Sequence, residues 1–562
     1  MTRQVLAESC LLLILQACAP PAVVRLGAIE TAYQDARYYK DRIDVTRARG
    51  TEGTPDGVAL TDLVAQYREA RARLQETLAS VPPAGPGGDD RRALEVIRRT
   101  FEKDLGEEQD PGKAEGDPSA APDGAAASPP GVDCAYDASA LARGTDGMQV
   151  LSDRMYACFG KAARNLPFEG QTLDRLTVFS LLPVTDDAGR RKQLFLSMVP
   201  VWKSINGDGG PGSPYRQLVL LSAAKRRADK TSVEAGAGNL GIDPGAVEGW
   251  LTAVLEKWRE IAPDREIEPW DFAYEAGKAS RTLRAAVTKE ILKPVNDRFY
   301  LDLGADVAAL GIQYDLEPRE GKDPVAFTTF GARPRLKDGA WVAGEPWVFA
   351  SYRVGSLDNL NELLHETGHA VHIAAIRTRP AFMDWPDSDL FTEGIADIAA
   401  LEIFEPAWQR KYLGTSVPLA DSLRAKYAGI VMDVAWALFE IRMHRSPDAD
   451  PNAIWTDITG RYFRIRPHPE LSWWAVRGQL ISLPGYMLNY AVGAILIADL
   501  RARAKELHGA CTEGDPAWYP WVSERLYRFG LERTSRQVIE DFLGRPVSPR
   551  ALLEDLARAE GP

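Results

Sequence analysis

The sequence predicts a mainly α-helical fold with a small β-sheet beside one central helix, and three observations carry this prediction. Apolar residues recur at helical spacing through most of the chain. Segments rich in β-branched and aromatic residues are concentrated in residues 325–354. Directly after them, residues 357–376 combine a helical apolar stripe with a second, polar face. A hydrophobic content of 45% and a charged content of 26% are typical of globular proteins.

The helix predicted over residues 357–376 carries the chemistry of the chain. Apolar residues at 3.6-residue spacing form its packing face: Leu357, Leu360, Leu364, Val371 and Ala374. His365, Glu366 and His369 form an H-E-x-x-H pattern. Because side chains at i and i+4 share one face of a helix, the two imidazoles can bind one Zn²⁺ from the same side. Glu366 then stands close enough to take a proton from a water molecule at that site.

A second predicted helix, residues 389–405, supplies a candidate third metal ligand. Glu393 lies 24 residues after His369, and a catalytic zinc takes three protein ligands with one position left open. Asp397 lies one turn further along the same face, where it can accept the free ring N–H of a zinc-bound histidine. Two solvated helix acids are the alternative interpretation. His372 is one turn too far to be the third ligand and is expected to support the site or the core.

These motifs resemble those of the gluzincin metallopeptidases. Residues 365–372, HETGHAVH, are most similar to the thimet oligopeptidase and oligoendopeptidase F family. The spacing to the third ligand and residues 391–397, FTEGIAD, also resemble the angiotensin-converting enzyme family, and both families stay open. The resemblance covers chiefly residues 265–560. It implies a thermolysin-like zinc peptidase core in a prolate, two-lobed, mainly helical architecture, with a deep channel and zinc at its floor.

A pair of tyrosines near the C-terminal end is a candidate for stabilising an oxyanion. Tyr486 and Tyr490 stand one helical turn apart in residues 484–494, PGYMLNYAVGA. The stretch resembles the Tyr-rich segment of oligoendopeptidases, which implies that one hydroxyl donates to the tetrahedral intermediate. A phenol is a neutral donor at pH 7. Relatives carry a histidine shortly before the tyrosines, whereas His468 lies 18 residues before Tyr486, and buried aromatic packing is the alternative role.

The β-rich segment before the central helix is a candidate for binding substrate. An exposed edge strand pairs with an extended peptide through main-chain hydrogen bonds. We predict that residues 349–352 form that edge. A packing strand whose edge is covered is the alternative.

The N-terminus resembles an export signal. Arg3 supplies a positive charge, residues 10–15 form a short apolar core, and residues 15–18, LQAC, resemble a bacterial lipobox with Cys18 as the lipidated residue. The expectation is therefore a periplasmic or membrane-anchored lipoprotein. A cleaved soluble signal and an ordinary cytosolic start are the alternatives.

Composition changes along the chain predict its domain organisation. In order, we expect a signal peptide with a lipobox (1–18), a helical hairpin (19–82), a disordered low-complexity linker (83–133), a helical lobe (134–263) and a catalytic zinc-peptidase domain (264–562). Within the linker, residues 91–105 form one amphipathic island. Cys134 and Cys158 pair in an oxidising compartment, leaving Cys511 free, or all three remain reduced buried thiols.

Charge and motifs together define the expected function. The net charge of −12 and the pI near 5.3 argue against nucleic acid as a partner, because phosphate binding needs a basic surface. We expect a monomeric zinc-dependent metallopeptidase that cleaves short oligopeptides. Two alternatives remain: a peptidyl-dipeptidase that releases C-terminal dipeptides, and a zinc-binding but inactive module that binds peptides.

Overall fold

The computed structural model describes residues 26–81, 86–105, 133–319, 322, 326–337 and 339–560. Helices account for most of these residues, and a small sheet packs beside the H-E-x-x-H helix, which confirms the predicted fold class. None of the helices in these ranges is both long enough and apolar enough to cross a membrane. The predicted signal and lipobox lie outside the described residues, so the predicted localisation stays a prediction.

The helices and strands follow one another along the whole described chain. The helices are α1 (Leu26–Ala48), α2 (Leu60–Ala79), α3 (Gly88–Lys103), α4 (Ala138–Ala142), α5 (Gly147–Ala163), α6 (Arg175–Leu181), α7 (Ala188–Leu196), α8 (Val199–Asn206), α9 (Pro214–Ala228), α10 (Pro244–Ile261), α11 (Phe272–Ala276), α12 (Lys278–Leu283), α13 (Lys289–Asp302), α14 (Leu357–Ala375), α15 (Asp389–Ala400), α16 (Pro406–Leu413), α17 (Leu419–Arg445), α18 (Pro451–Phe463), α19 (Gln479–Ser482), α20 (Met487–His508), α21 (Trp518–Val522), α22 (Ser535–Leu543) and α23 (Arg550–Ala557). The strands are β1 (Leu166–Phe168), β2 (Gln171–Leu173), β3 (Gln313–Asp315), β4 (Phe327–Thr329), β5 (Arg335–Lys337), β6 (Ala340–Val342) and β7 (Trp347–Phe349).

The three-stranded sheet beside α14 has the order β3-β7-β4. Strand β7 pairs in parallel with β3 and antiparallel with β4, so that Val348 lies opposite both Tyr314 and Thr328. All three residues of β7 are buried. The prediction that residues 349–352 form an exposed edge is therefore wrong, because β3 and β4 flank Phe349 and the N–H groups of Ala350 and Tyr352 donate to the carbonyls of residues 315 and 316. The edge next to α14 belongs to β4.

The described residues fall into two compact units. The first combines α1, α2 and α3 with the β5–β6 hairpin and residues 377–383. Its interior holds apolar residues such as Ile43 and Leu74 together with two ion pairs, Arg333 to Asp41 at 2.9 Å and Arg379 to Glu30 at 2.8 Å. Helix α3 occupies much of the predicted amphipathic island and buries Leu94 and Ile97. Residues 83–85 and 106–132 of the predicted linker lie outside the described residues.

The second unit contains the remaining elements, including α14 and α15. Its core is built around the long helices α17 and α20, which pack against each other and carry fully buried residues such as Phe439 and Leu496. Trp455 and Trp474 fill the space beside α17, with Phe439 between them. Neither compact unit begins or ends at residues 263 and 264, and the predicted domain limits stay predictions.

A disulfide joins Cys134 to Cys158, with their Cα atoms 5.7 Å apart, while Cys511 is a free, buried thiol. The bond attaches the segment before α4 to the middle of α5 and closes a loop with a sequence separation of 24 residues. Cross-linking a loop of this length reduces the entropy of the unfolded chain.

We expect Cys134→Ser/Cys158→Ser to destabilise the second unit by about 3 kcal/mol, the value that loop closure predicts for a loop of this size. Thermal unfolding with and without reductant measures the effect. Reductant should lower the transition of the parent protein and leave that of the double variant unchanged. An equal response of the two proteins would show that the bond does not stabilise the unit.

Candidate metal centre

Helix α14 holds the H-E-x-x-H residues in a rigid setting. The Ser356 hydroxyl accepts the backbone N–H of Asn359 at 3.0 Å and so caps the helix, as its sequence position allows. The Tyr300 hydroxyl donates to the Leu364 carbonyl at 2.6 Å from the neighbouring helix α13. Tyr314 of β3 shares a 3.1 Å hydrogen bond with the Thr367 hydroxyl. These contacts surround the turn that carries His365 and His369 and fix its position.

The backbones of helices α14 and α15 are in direct contact. A Cβ atom on Gly368 would lie 2.4 Å from the carbonyl oxygen of Ala396 and 2.9 Å from its Cα, so only a glycine fits at this contact. Ser388 caps α15 by accepting the N–H of Phe391 at 3.3 Å. The close approach brings Glu393, on the second turn of α15, to the face of α14 that carries the histidines.

His365, His369 and Glu393 meet at one point. The two Nε2 atoms are 3.1 Å apart, and Oε2 of Glu393 lies 3.5 Å from Nε2 of His365 and 3.7 Å from Nε2 of His369. Ligands at about 2.0–2.1 Å from a tetrahedral zinc are separated by roughly 3.3 Å, so three donors with these separations fit one Zn²⁺. The sequence-predicted ligand set is therefore assembled in the fold, and its role as a metal site stays a prediction.

Asp397 orients the first of the two histidines. Its Oδ1 atom lies 2.8 Å from Nδ1 of His365, which leaves Nε2 of that ring pointing to the other ligands. This is the contact that the spacing of Asp397 predicts. Arg501 of α20 donates to the carbonyls of Asp397 and Ile398 at 3.2 and 2.6 Å and pairs with Glu402 at 2.7 Å, so the end of α15 is also held.

The three side chains of the candidate metal site differ in their exposure to solvent. Side-chain exposure is 21% for His365, 8% for His369 and 54% for Glu393. Burial lowers the pKa of His365, but the Asp397 carboxylate outweighs it and leaves that pKa well above its usual value. Burial raises the pKa of Glu393, yet the two histidines reverse the effect and hold it far below its usual value. The geometry therefore favours an ionised carboxylate beside the imidazoles.

Glu366 has a partner that the sequence analysis missed. The Thr328 hydroxyl of β4 lies 2.6 Å from Oε2 of Glu366 and 2.9 Å from the Glu366 carbonyl oxygen. Glu366 is only 7% exposed, so this neutral hydroxyl defines the direction of its carboxylate. Thr328 and Glu366 are 38 residues apart in the sequence, so helical or strand periodicity cannot indicate their contact. The pairing of β4 with β7 brings Thr328 to α14.

The face of α14 that carries the ligands continues towards its N-terminus as a row of acids. Asp358, Glu362 and Glu366 are spaced by four residues and lie on the same side as His365. Asp358 and Glu362 are solvent-exposed, yet the protein around them displaces enough water to raise the pKa of both carboxyls, and the charge of Glu366 adds to the rise at Glu362. In the described part of the chain, none of these three acids forms an ion pair with Lys or Arg. No Lys or Arg side chain therefore neutralises this row of acids within the described residues.

Tyr486 and Tyr490 lie at the start of α20, with ring centroids 5.5 Å apart. Gln479 donates to the Tyr490 hydroxyl at 3.2 Å. Helix α20 packs along α15, where a Cβ on Gly394 would lie 3.0 Å from Cδ1 of Ile497. The tyrosines thus stand on the helix next to the one that carries Glu393, and their catalytic role stays a prediction.

His372 belongs to the packing around the site. It is fully buried, with its ring 5.6 Å from Trp385 and 5.3 Å from Tyr527. Burial lowers its pKa to about 3, so the ring is neutral. Trp385 also contacts His369, at 5.7 Å between ring centroids, and is a further residue that the sequence analysis missed.

Comparisons with known proteins identify the fold. No protein-family model matches the chain, and no curated protein matches it by sequence. A solved structure assigned as an oligoendopeptidase F aligns over 93% of this chain and 95% of its own, with a TM-score of 0.52 and 16% identity. The structure of PZ peptidase A with an inhibitor aligns over 95% of this chain and 96% of its own, with a TM-score of 0.53 and 12% identity. The chain therefore shares the fold of these two proteins.

We expect Gly368→Ala to abolish stoichiometric zinc binding, because the added methyl group must separate α14 from α15 and move Glu393 away from the histidines. Overpacking of this kind also destabilises by about 1–3 kcal/mol. Zinc titration against a competing chelator measures the binding. Gly429→Ala is the matched control, since a Cβ there meets nothing within 4 Å and lies in a long helix as well. Unchanged zinc affinity in the Gly368 variant would show that the close helix contact does not position the site.

Proposed function

We propose that this chain is a zinc-dependent peptidase that hydrolyses short peptides. The single observation that carries the proposal is the convergence of His365, His369 and Glu393 beside a carboxylate, Glu366, on the same helix. The two aligned structures described above are named as an oligoendopeptidase F and as PZ peptidase A, which supports the same reaction class. In this proposal the three residues hold Zn²⁺, and Asp397 keeps His365 in the ligating orientation.

Glu366 is the proposed general base. When bound, Zn²⁺ supplies Lewis-acid polarisation of the scissile carbonyl and lowers the pKa of a water molecule. The Glu366 carboxylate takes the proton of the attacking water and delivers it to the nitrogen of the leaving amine. The hydrogen bond from Thr328 holds one carboxylate oxygen, so the other is presented to the water. Proton transfer of this kind contributes about 10²–10⁴ to the rate.

Tyr486 or Tyr490 is the proposed donor to the oxyanion. The negative charge that develops on the carbonyl oxygen needs a neutral donor held in place before the reaction. A phenol meets this requirement at pH 7. The Gln479 amide takes one acceptor position of Tyr490, which orients the hydroxyl.

The outer edge of β4 is the proposed binding strand for the peptide. Among the described residues, β4 pairs on one side with β7, and no strand covers the opposite side. Thr328 on this strand touches Glu366, so a peptide paired with the edge would pass the base and the metal ligands. The proposed substrate-binding strand is therefore β4 rather than residues 349–352.

We expect Glu366→Gln to reduce peptide hydrolysis by at least about 10²-fold while the protein keeps one equivalent of zinc, because the amide cannot accept the proton and the metal ligands are untouched. Cleavage of a quenched fluorescent peptide and metal analysis of the purified protein measure the two properties. Glu554→Gln, on the surface of α23, is the control and should retain full activity. A wild-type protein that binds zinc and peptide without cleaving it would instead establish the inactive binding module.

We expect Thr328→Val to lower kcat by about 10-fold, since the Glu366 carboxylate loses the hydrogen bond that directs it. The same substitution at Thr329 is the matched control, because successive side chains on a strand point to opposite faces. Steady-state kinetics on the same peptide distinguish the two variants. Equal kcat values for both would exclude a role of Thr328 in orienting the base.

A further inference from the structure

A carboxylate buried far from any surface holds the segment that precedes the tyrosine helix. Glu440 lies in α17 and is 0% exposed. Its Oε1 atom accepts the backbone N–H of Gly485 at 2.7 Å, and its Oε2 atom accepts the N–H of Met487 at 2.9 Å. These two residues flank Tyr486. One side chain therefore grips the backbone on both sides of a proposed oxyanion donor.

The Met487 N–H is the first of α20, where helical N–H groups have no partner within the helix, and the Gly485 N–H lies two residues before it. Such groups are usually satisfied by the side chain of the residue just before the helix. Here that residue is Tyr486, and its side chain makes no capping hydrogen bond. Glu440 caps α20 from a different helix. The position of the first turn of α20 is therefore set by α17 rather than by the residues just before the turn.

Arg226 of α9 holds the same turn from the other side. Its Nη2 atom donates to the Pro484 carbonyl at 2.8 Å, and its Nη1 atom donates to the Ser232 carbonyl at 3.1 Å. Gly485 has a φ of +96°, and a Cβ there would lie 2.7 Å from Nη2 of Arg226. The turn therefore has one conformation, with a guanidinium against its carbonyl and a carboxylate against its N–H groups.

The burial of Glu440 is unfavourable by itself. Removal from water raises its pKa, whereas the two N–H groups that its oxygens accept and the charge of Arg226 favour the ionised carboxylate. The other titratable groups that face it are Tyr215, packed against α17 from α9, and His444, whose Nδ1 lies 2.9 Å from the Glu440 carbonyl oxygen. Apolar residues of similar volume often stabilise a core as well as buried charges do. The carboxylate is explained more simply by the geometry that it imposes on the turn.

We propose that Glu440 is a positioning residue that places the Tyr486 and Tyr490 hydroxyls for the oxyanion through its hydrogen bonds to Gly485 and Met487. The inference rests on the proposed peptidase function and adds to it a residue that does not touch the substrate. Tyr490 follows because it stands one turn after Tyr486, at 5.5 Å between ring centroids. A small shift of the first turn of α20 moves both phenols together.

The test compares steady-state kinetics, zinc content and thermal unfolding of the parent protein and Glu440→Gln on one quenched fluorescent peptide. Glutamine has nearly the same shape as glutamate, but its side chain has only one acceptor oxygen. Its NH₂ group, a donor, therefore faces the second backbone N–H, which is also a donor. We expect kcat to fall by about 10-fold or more, because small displacements of catalytic groups have large effects on rate. The KM should change by less than about 3-fold, and the zinc content should remain one equivalent.

Asp499→Asn is the matched control. Asp499 is also a buried carboxylate on α20, 1% exposed, and it accepts the Ser548 N–H at 2.9 Å and pairs with Arg545 at 2.6 Å. It lies towards the other end of the helix from the tyrosines. We expect this variant to unfold at a lower temperature but to keep the kcat of the parent.

A double-mutant cycle separates positioning from general stabilisation. If Glu440 acts through the phenols, Glu440→Gln should lower kcat little further in a Tyr486→Phe/Tyr490→Phe background. Arg226→Met removes the contact to Pro484 without altering a buried carboxylate, and it should show the same non-additive loss of kcat. This variant provides the test if the Glu440 variant does not fold. Full additivity, or parent-like kcat in either variant, would overturn the inference while the peptidase function stands. Absence of hydrolysis by the parent protein would overturn the proposed function itself.

Discussion

The contact between two helix backbones at Gly368 and Ala396 is the constraint on which the site depends. A Cβ at position 368 would come within 2.4 Å of a carbonyl oxygen, so α14 and α15 approach more closely than side chains normally permit. Neither helix alone carries all three of His365, His369 and Glu393. Only this approach places Glu393 within 3.5–3.7 Å of both imidazole nitrogens. The glycine inside the H-E-x-x-H pattern therefore has a packing function that the motif itself does not state.

Hydrogen bonds from neighbouring elements then give each functional side chain one orientation. Asp397 holds the ring of His365, and the Thr328 hydroxyl holds the carboxylate of Glu366. Glu440 holds the turn before the tyrosines in the same manner, although it lies on a third helix. In each case the positioned group and its partner belong to different elements. The precision of the site therefore comes from packing between elements rather than from any single motif.

The charges around the site are consistent with a bound dication. Asp358, Glu362 and Glu366 lie along α14, Glu393 lies beside its histidines, and none of the first three is paired with Lys or Arg in the described part of the chain. Desolvation and the neighbouring charge of Glu366 raise the pKa of Glu362, whereas the histidines hold that of Glu393 far below its usual value. A Zn²⁺ at the three ligands would offset much of this negative charge.

Local sequence determined the helical fold, the limits of α14 and the shared face of His365 and His369, because these depend on residues within a few turns of one another. It also indicated Glu393 and Asp397, since both lie on one face of the following helix. The tertiary structure alone decided that β7 is the central strand and that β4 is the edge beside the site. It alone brought Thr328 to Glu366 and Glu440 to the tyrosine turn, contacts that span 38 and 45 residues. Pairings over such distances follow from packing, and helical or strand periodicity carries no information about them.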